Sequence, residues 1–168
     1  MPLTDFEAEL TMLLPRLRRF AHALARSSAD ADDLAQATAE RLLRARDQWQ
    51  TGTRFDAWAF RAMRNLWIDT VRAHGRASKR FVPEEAGMDV GYDPRGQIEA
   101  RSELATLMQA LARLPGEQRE VIALVTIEGL GYAEAALVLD VPLGTVSSRM
   151  LRGRQALLAM MGADDDDR

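Results

Sequence analysis

The sequence contains no cysteine and only two histidines, His22 and His74, far apart in the chain. Disulfides and thiolate metal sites are thereby excluded, and two isolated histidines read as ordinary surface or core residues. No metal and no other cofactor is expected. Aromatic residues make up only 6% of the chain. β-Branched residues are also sparse, whereas Ala, Leu, Arg and Glu are abundant. That balance favours helices, because unbranched side chains lose little rotamer freedom there. No run approaches the roughly 20 apolar residues that cross a bilayer. The opening "MPLTDFEAEL" has no basic segment followed by an apolar core, so neither membrane insertion nor export is expected and the expected location is cytoplasmic. Also missing are a GxGxxG turn, a P-loop, a nucleophile elbow and any clear paired-carboxylate or nucleophile–base set. An enzyme is not expected.

What is present is a chain of 168 residues, 47% hydrophobic and 28% charged. These values belong to a folded protein of one ordinary domain or two small ones. The net charge of −3 conceals an asymmetry. Residues 41–80 carry ten Lys or Arg against three Asp, whereas residues 84–99 carry five acids and one Arg, and Asp164–Asp167 add four more acids. Polyanion binding depends on such local patches rather than on the total.

Periodicity divides the chain into two helical blocks. In the first, Leu10, Leu13, Leu14, Leu17, Phe20, Ala21 and Leu24 recur at three- and four-residue spacing, the apolar stripe of an amphipathic helix. "SSADADDLAQATAERLL" opens a second helix, with Ser28 or Asp30 as N-cap and acids where the helix dipole favours them. Gly52 interrupts the pattern, and a third helix is predicted from about Asp56 to Ala73. A stretch with four Gly, two Pro and no period follows, of a length normal between domains and uncommon within one. The second block begins near Ile98. It comprises a helix that stops at Pro115, a helix over "GEQREVIALVTIE" ended by Gly129 and Gly131, a short helix over "YAEAALVL", and a final helix after the turn "DVPL".

"YAEAALVLDVPLGTVSSRMLRGR" has the layout of a helix-turn-helix, with Pro142 suited to the first turn of its second helix. Wound at 3.6 residues per turn, Val146, Met150, Gly153 and Leu157 point inward. Thr145, Ser148, Arg149 and Arg152 are expected on the opposite side, with Ser147, Leu151 and Arg154 on the margins. Three Arg and three hydroxyls without an acid suit entry into a major groove, since Arg forks onto guanine and hydroxyls meet phosphates or base edges. A solvated face in a bundle that binds nothing has the same residue types.

"RFDAWAFRAMRNLWIDTVRAHGR" places Arg61, Arg64, Asn65, Asp69 and Arg72 on one stripe, with Trp58, Phe60, Met63, Leu66, Trp67 and Val71 around it. Two readings stand. The aromatics are core and the polar residues a solvated row, or the stripe, with Arg54 and the loop before it, holds single-stranded nucleic acid. Such sites combine a basic groove with side chains that receive unstacked bases.

Taken in order, these segments resemble the extracytoplasmic-function (ECF) sigma factors, the smallest class of promoter-specificity subunits of bacterial RNA polymerase. Three stretches carry the resemblance: "DADDLAQATAERLL", "FDAWAFRAMRNLWIDTVRAHGR", and "LARLPGEQREVIALVTIEGLGYAEAALVLDVPLGTVSSRMLRGRQAL". It implies an all-α fold of two small helical domains joined by a flexible linker. These are sigma region 2 over residues 1–80, a linker over 81–97, sigma region 4 over 98–162 and an acidic tail over 163–168. Carried over, Asp30, Asp32, Asp33, Leu34 and Gln36 face the largest-subunit clamp of core polymerase. Arg54, Arg61, Arg64, Asn65 and Arg72 handle the −10 element, with Asn65 taking a flipped base. Thr145, Ser147, Ser148, Arg149, Arg152 and Arg154 contact the −35 duplex. The implied partners are core RNA polymerase, through clamp and flap, promoter DNA and an anti-sigma factor; the free protein is expected to be monomeric.

Two departures stand out. Ala37 and Ala39 replace an acid and a bulky residue on the clamp-facing helix, and Ser147 replaces a commonly basic neighbour of the −35 phosphates. "RDQWQTGTRFDAW" and "LVTIEGLGYAEAA" further resemble the subgroup that serves the general stress response of Alphaproteobacteria. That resemblance implies a small anti-sigma protein removed by a phosphorylated sigma-mimicking regulator. The competing expectations are a dimeric helix-turn-helix regulator that binds a two-half-site operator without polymerase, and a sigma-like decoy that keeps the fold without transcription activity.

Overall fold

A computed structural model of the protein describes residues 4–25, 27–78 and 100–165. Among these, all regular structure is helical. The expected linker, 81–97, and the end of the acidic tail, 166–168, lie outside the described residues. The chain separates into two compact units, the first centred on helices α1–α3 and the second on α4–α7.

In the first unit, α1 (Asp5–Leu24), α2 (Ser28–Arg44) and α3 (Phe55–Ser78) each pack against the other two. α1 starts at a capping box. The Thr4 hydroxyl accepts from the Glu7 N–H at 3.3 Å, and the Glu7 carboxylate accepts from the Thr4 N–H at 3.0 Å. Two of the helix's orphan donors are thereby satisfied. Phe6, Leu10, Leu13, Leu17, Phe20, Ala21 and Leu24 are buried, so the expected stripe is the core face, although Leu14 is only half-buried. α2 is capped by Ser27, one residue before Ser28 and three before Asp30, because its hydroxyl reaches the N–H of Asp30 at 3.1 Å. Ala31, Leu34, Ala35, Thr38 and Leu42 face inward, and the buried Thr38 hydroxyl donates to the Leu34 carbonyl at 2.7 Å. That bond spares the bundle an unsatisfied polar group. After a 3-10 turn (Arg46–Gln48), α3 buries Phe55, Ala59, Phe60 and Met63. It runs past the expected end at Ala73, and residues 69–76 are exposed throughout. Edge-on rings lock the seam between α1 and α3: Phe20 meets Phe60 at 5.2 Å and Phe6 meets Phe55 at 5.3 Å. Such geometry puts the positive edge of one ring against the negative face of the other.

The second unit contains α4 (Ala100–Arg113), α5 (Gly116–Ile122), α6 (Tyr132–Leu139) and α7 (Leu143–Asp165). α4 stops before Pro115, as the sequence predicts. The segment expected to be one helix after it is α5 followed by a π turn (Ala123–Ile127), closed by the Glu128 N–H on the Ala123 carbonyl at 2.9 Å. Gly129, at φ 74°, then reverses the chain. Between α6 and α7 stands Asp140 at φ 53° and ψ 50°, a left-handed conformation that ends α6. Pro142 lies just ahead of α7 rather than in its first turn. Its carbonyl accepts from the N–H groups of Thr145 and Val146 at 3.0 and 3.3 Å. The inward face of α7 is as expected, with Val146, Met150 and Gly153 buried and Leu157 half-buried. At Gly153, α7 comes close against α5. A Cβ there would lie 2.7 Å from Ile122 Cδ1 and 3.3 Å from Gln118 Cβ.

Candidate nucleic-acid interface

Three helical faces hold the residues singled out in the sequence. On α2, Asp30, Asp32, Asp33 and Gln36 are exposed, and Gln36 Nε2 donates to Glu40 Oε1 at 3.2 Å. Leu34 is not part of that face. It is 5% exposed and packs inward with Ala31 and Leu42, three and eight residues away on the core stripe. The exposed leucine is Leu43, at 44%. It falls eleven residues after Asp32 and seven after Gln36, and at about 100° per residue all three share one line. Spacing alone would have found it, had the core stripe been assigned first.

On α3, Arg61, Asn65, Asp69 and Arg72 are exposed, with steps of four, four and three residues that keep them on one stripe. Arg64 is half-buried beside it, as are Trp58, Leu66 and Trp67. Phe60 and Met63 belong wholly to the core. Val71 is 48% exposed, because α3 has by then run beyond its neighbours. Arg54 stands just before the helix and does not present a free fork. Its Nε donates to Asp56 Oδ1 and its Nη2 to Asp56 Oδ2, both at 2.9 Å. Asp56 also accepts from Arg16 Nη1 at 3.2 Å and from the Ala57 N–H at 2.8 Å. Arg16 in turn lies 5.2 Å above the Phe60 ring. Burial, the largest single influence, pushes the Asp56 carboxyl up. The hydrogen bonds from Arg54 and the Ala57 N–H, the Arg54 charge and the Arg16 hydrogen bond outweigh it and hold the group below the ordinary aspartate value. Arg54 is therefore first a brace for the start of α3.

On α7, Ser147, Ser148, Arg152 and Arg154 are exposed and Thr145 is half-buried. The hydroxyls of Ser147 and Ser148 donate to the Leu143 and Thr145 carbonyls at 3.2 and 3.1 Å, and Arg152 Nε donates to the Ser148 carbonyl at 3.3 Å. These bonds are solvent-exposed and within the helix, so they are easily exchanged for a ligand's. Arg149 departs from expectation. Its side chain is 14% exposed and its Nη2 lies 3.2 Å from Glu117 Oε1 of α5. The helical wheel explains this. Arg149 stands only about 60° from the buried Val146, whereas Ser148 and Arg152 stand about 160° and 120° away. The flank position lets its stem lie against α5.

Among the described residues no group of three or more His, Asp or Glu is placed to hold a metal ion, and no helix is long and apolar enough to cross a membrane.

Two helical units, each offering an exposed basic helix face, define the class. Residues 10–77 match the family model for sigma-70 region 2, and residues 104–157 match that for sigma-70 region 4. Among curated relatives, the ECF RNA polymerase sigma factor EcfG of Rhodopseudomonas palustris is 36% identical over 98% of this chain and 92% of its own length. The ECF RNA polymerase sigma factor SigE of Mycolicibacterium smegmatis is 42% identical over 84% of this chain, a match that spans 56% of SigE. Among solved structures, the sigma factor RpoE of Bartonella quintana, crystallised with the anti-sigma factor NepR, is similar at a TM-score of 0.82 and 30% identity. That match covers 96% of this chain and 99% of RpoE. The chain belongs to the ECF family of RNA polymerase sigma factors.

Proposed function

We propose that this chain binds core RNA polymerase and directs it to promoters whose −10 and −35 elements are read by its two units. As in the family, it is an initiation factor and not itself an enzyme. Residues 1–80 form region 2, 81–97 the connection, 98–162 region 4 and 163–168 an acidic extension. The exposed α2 residues Asp30, Asp32, Asp33 and Gln36 meet the polymerase clamp, with Leu43 as their apolar contact in place of Leu34. Region 4 meets the flap. On α3, Asn65 receives an unstacked −10 base, with Arg61, Arg64 and Arg72 along the backbone. On α7, Ser148 and Arg152 reach the −35 groove, flanked by Thr145, Ser147 and Arg154.

The observation that carries this reading is the pairing, in family order, of two basic helix faces on two separate units within an acidic chain. Promoter DNA needs both faces; core polymerase supplies the remaining affinity, so the free protein has no need to bind DNA tightly alone. The free protein is a monomer, held idle by an anti-sigma protein. The likeness to RpoE bound to the anti-sigma factor NepR supports that partner, and the two stretches that resemble the general-stress subgroup point to a role in a stress response.

The test is run-off transcription with purified core polymerase on a supercoiled genomic promoter library, with and without this protein. New transcripts that share upstream elements, and that disappear with Asn65→Ala, are the expected outcome. If neither transcripts nor comigration with core is seen, the reading is wrong, and a dimeric operator-binding regulator takes its place. Comigration without transcripts identifies a decoy.

A further inference from the structure

Arg149 sits in the middle of the helix that reads DNA, yet the structure turns it away from the reading face. Three observations bear on what it does there. Its side chain is 14% exposed, so most of its aliphatic stem is covered. Its guanidinium meets Glu117, in the first turn of α5, at 3.2 Å, while the Glu117 side chain is itself 71% exposed. One turn further along α7, Gly153 allows the two helices to approach until Gln118 and Ile122 leave no room for a Cβ. The ion pair and the glycine contact are thus two points of one seam between α5 and α7, four residues apart along α7.

We infer that Glu117 is a positioning residue for −35 recognition, acting through Arg149 to set the rotation of α7 about its own axis. This rests on the reading of α7 as the −35 helix. A glycine contact alone fixes how near the helices come, not how α7 is turned, because a residue without a side chain has nothing to catch on its neighbour. The buried Val146 and Met150 hold α7 broadly in place, and a long cation clasped to the side of the seam trims its rotation further. Rotating α7 by one residue step, about 100°, would exchange Ser148 and Arg152 for other side chains at the groove. A much smaller turn would misplace them by enough to break hydrogen-bond geometry. The pairing has a second effect. Glu117 is an exposed carboxylate on the helix packed beside the reading helix, where a duplex would repel it; the adjacent guanidinium neutralises it.

The idea assigns Arg149 and Arg152 opposite behaviours, which salt dependence separates. Each phosphate contact contributes about one unit to the slope of log K against log salt. The measurement uses holoenzyme assembled from core polymerase and the full chain, bound to a promoter recovered by run-off transcription. The series is wild type, R152Q, R149Q, R149K, E117Q and the double variant E117Q/R149Q. The expected result is that R152Q lowers the slope by about one, whereas R149Q and E117Q weaken binding about three- to fivefold with the slope unchanged. The double variant is no weaker than R149Q alone, because both changes open one clasp. R149K, which keeps stem and charge, binds within about twofold of wild type and with the same base preference at every −35 position.

Three results overturn the proposal. A slope lowered by about one in R149Q makes Arg149 a phosphate contact. A base preference lost in R149K makes it a guanine reader through its fork. Binding unchanged or tightened in E117Q makes Glu117 a bystander or a competitor. R149K also covers the case in which R149Q fails to fold. If wild-type holoenzyme shows no promoter binding at all, it is the −35 assignment that fails, a different outcome from any of these.

Discussion

Each unit holds an arginine near its exposed basic helix face with a carboxylate, but the burial is inverted between the two. In the first unit the acid is the inner partner: the Asp56 side chain is 15% exposed and that of Arg54 55%. In the second the base is inner, Arg149 at 14% against Glu117 at 71%. The consequence follows from how much converges on each carboxylate. Asp56 accepts from Arg54 Nε and Nη2, from Arg16 Nη1 and from the Ala57 N–H. Glu117, mostly exposed, meets Arg149 through a contact of 3.2 Å. Removing the acceptor of several charge-assisted bonds is costly, whereas an ion pair with a well-exposed partner contributes little. The first clasp therefore holds the fold of its unit, whereas the second only trims the pose of a helix that other contacts already keep in place.

Asp56→Ala is the sharpest test of that contrast. It is expected to lower stability by about 2–3 kcal/mol, as loss of hydrogen bonds to charged groups does, read by urea unfolding of the first unit's tryptophan fluorescence. Acid should act in the same direction. The native Asp56 pKa lies below its unfolded value of about 3.9, so the contribution is complete above that pH and is lost as pH falls through the lower native value. An acid titration of stability that is as steep in Asp56→Ala as in wild type would break the argument.

Gly153→Ala comes next. It gains about 1 kcal/mol of helix propensity but presses on the buried Ile122 and on Gln118 Cβ, an overpacking cost of about 1–3 kcal/mol. A net loss near 1 kcal/mol is expected by thermal melting, and a stabilised variant would show that the seam gives way. Glu117→Gln should have the smallest effect, about 0.5 kcal/mol or less. If it costs as much as Asp56→Ala, the two clasps are equivalent and the comparison falls.

The parts of this molecule legible in the sequence are those written in periodicity. The core stripes of α1 and α7, the stop at Pro115, the short α6 and the exposed row on α3 all follow from 3.6-residue spacing and turn chemistry. The π turn was not legible, because a five-residue closure leaves the same apolar residues in the same order. Leu34 lies on the core stripe with Ala31 and Leu42, which periodicity marks and a family position does not. The engagement of Arg54 and Arg149 is hidden from the sequence for a different reason. Residue type tells what a side chain can bind, not what already engages it: Asp56, two residues after Arg54, holds that fork, and Glu117, thirty-two residues before Arg149, meets it only through the tertiary fold. Arginine on a helix flank is the residue most prone to this error, since its stem is long enough to serve either side.

Asp140, the left-handed residue between α6 and α7, carries a consequence for mechanics. A non-glycine residue in that conformation costs about 1–2 kcal/mol of strain. Glycine would remove it, at the expense of a looser joint and a larger unfolded ensemble. An aspartate there behaves as a stiff spring where glycine would be a free hinge. The angle at which α7 leaves α6 is then held before any partner arrives, and little of the energy of docking need be diverted to ordering the joint.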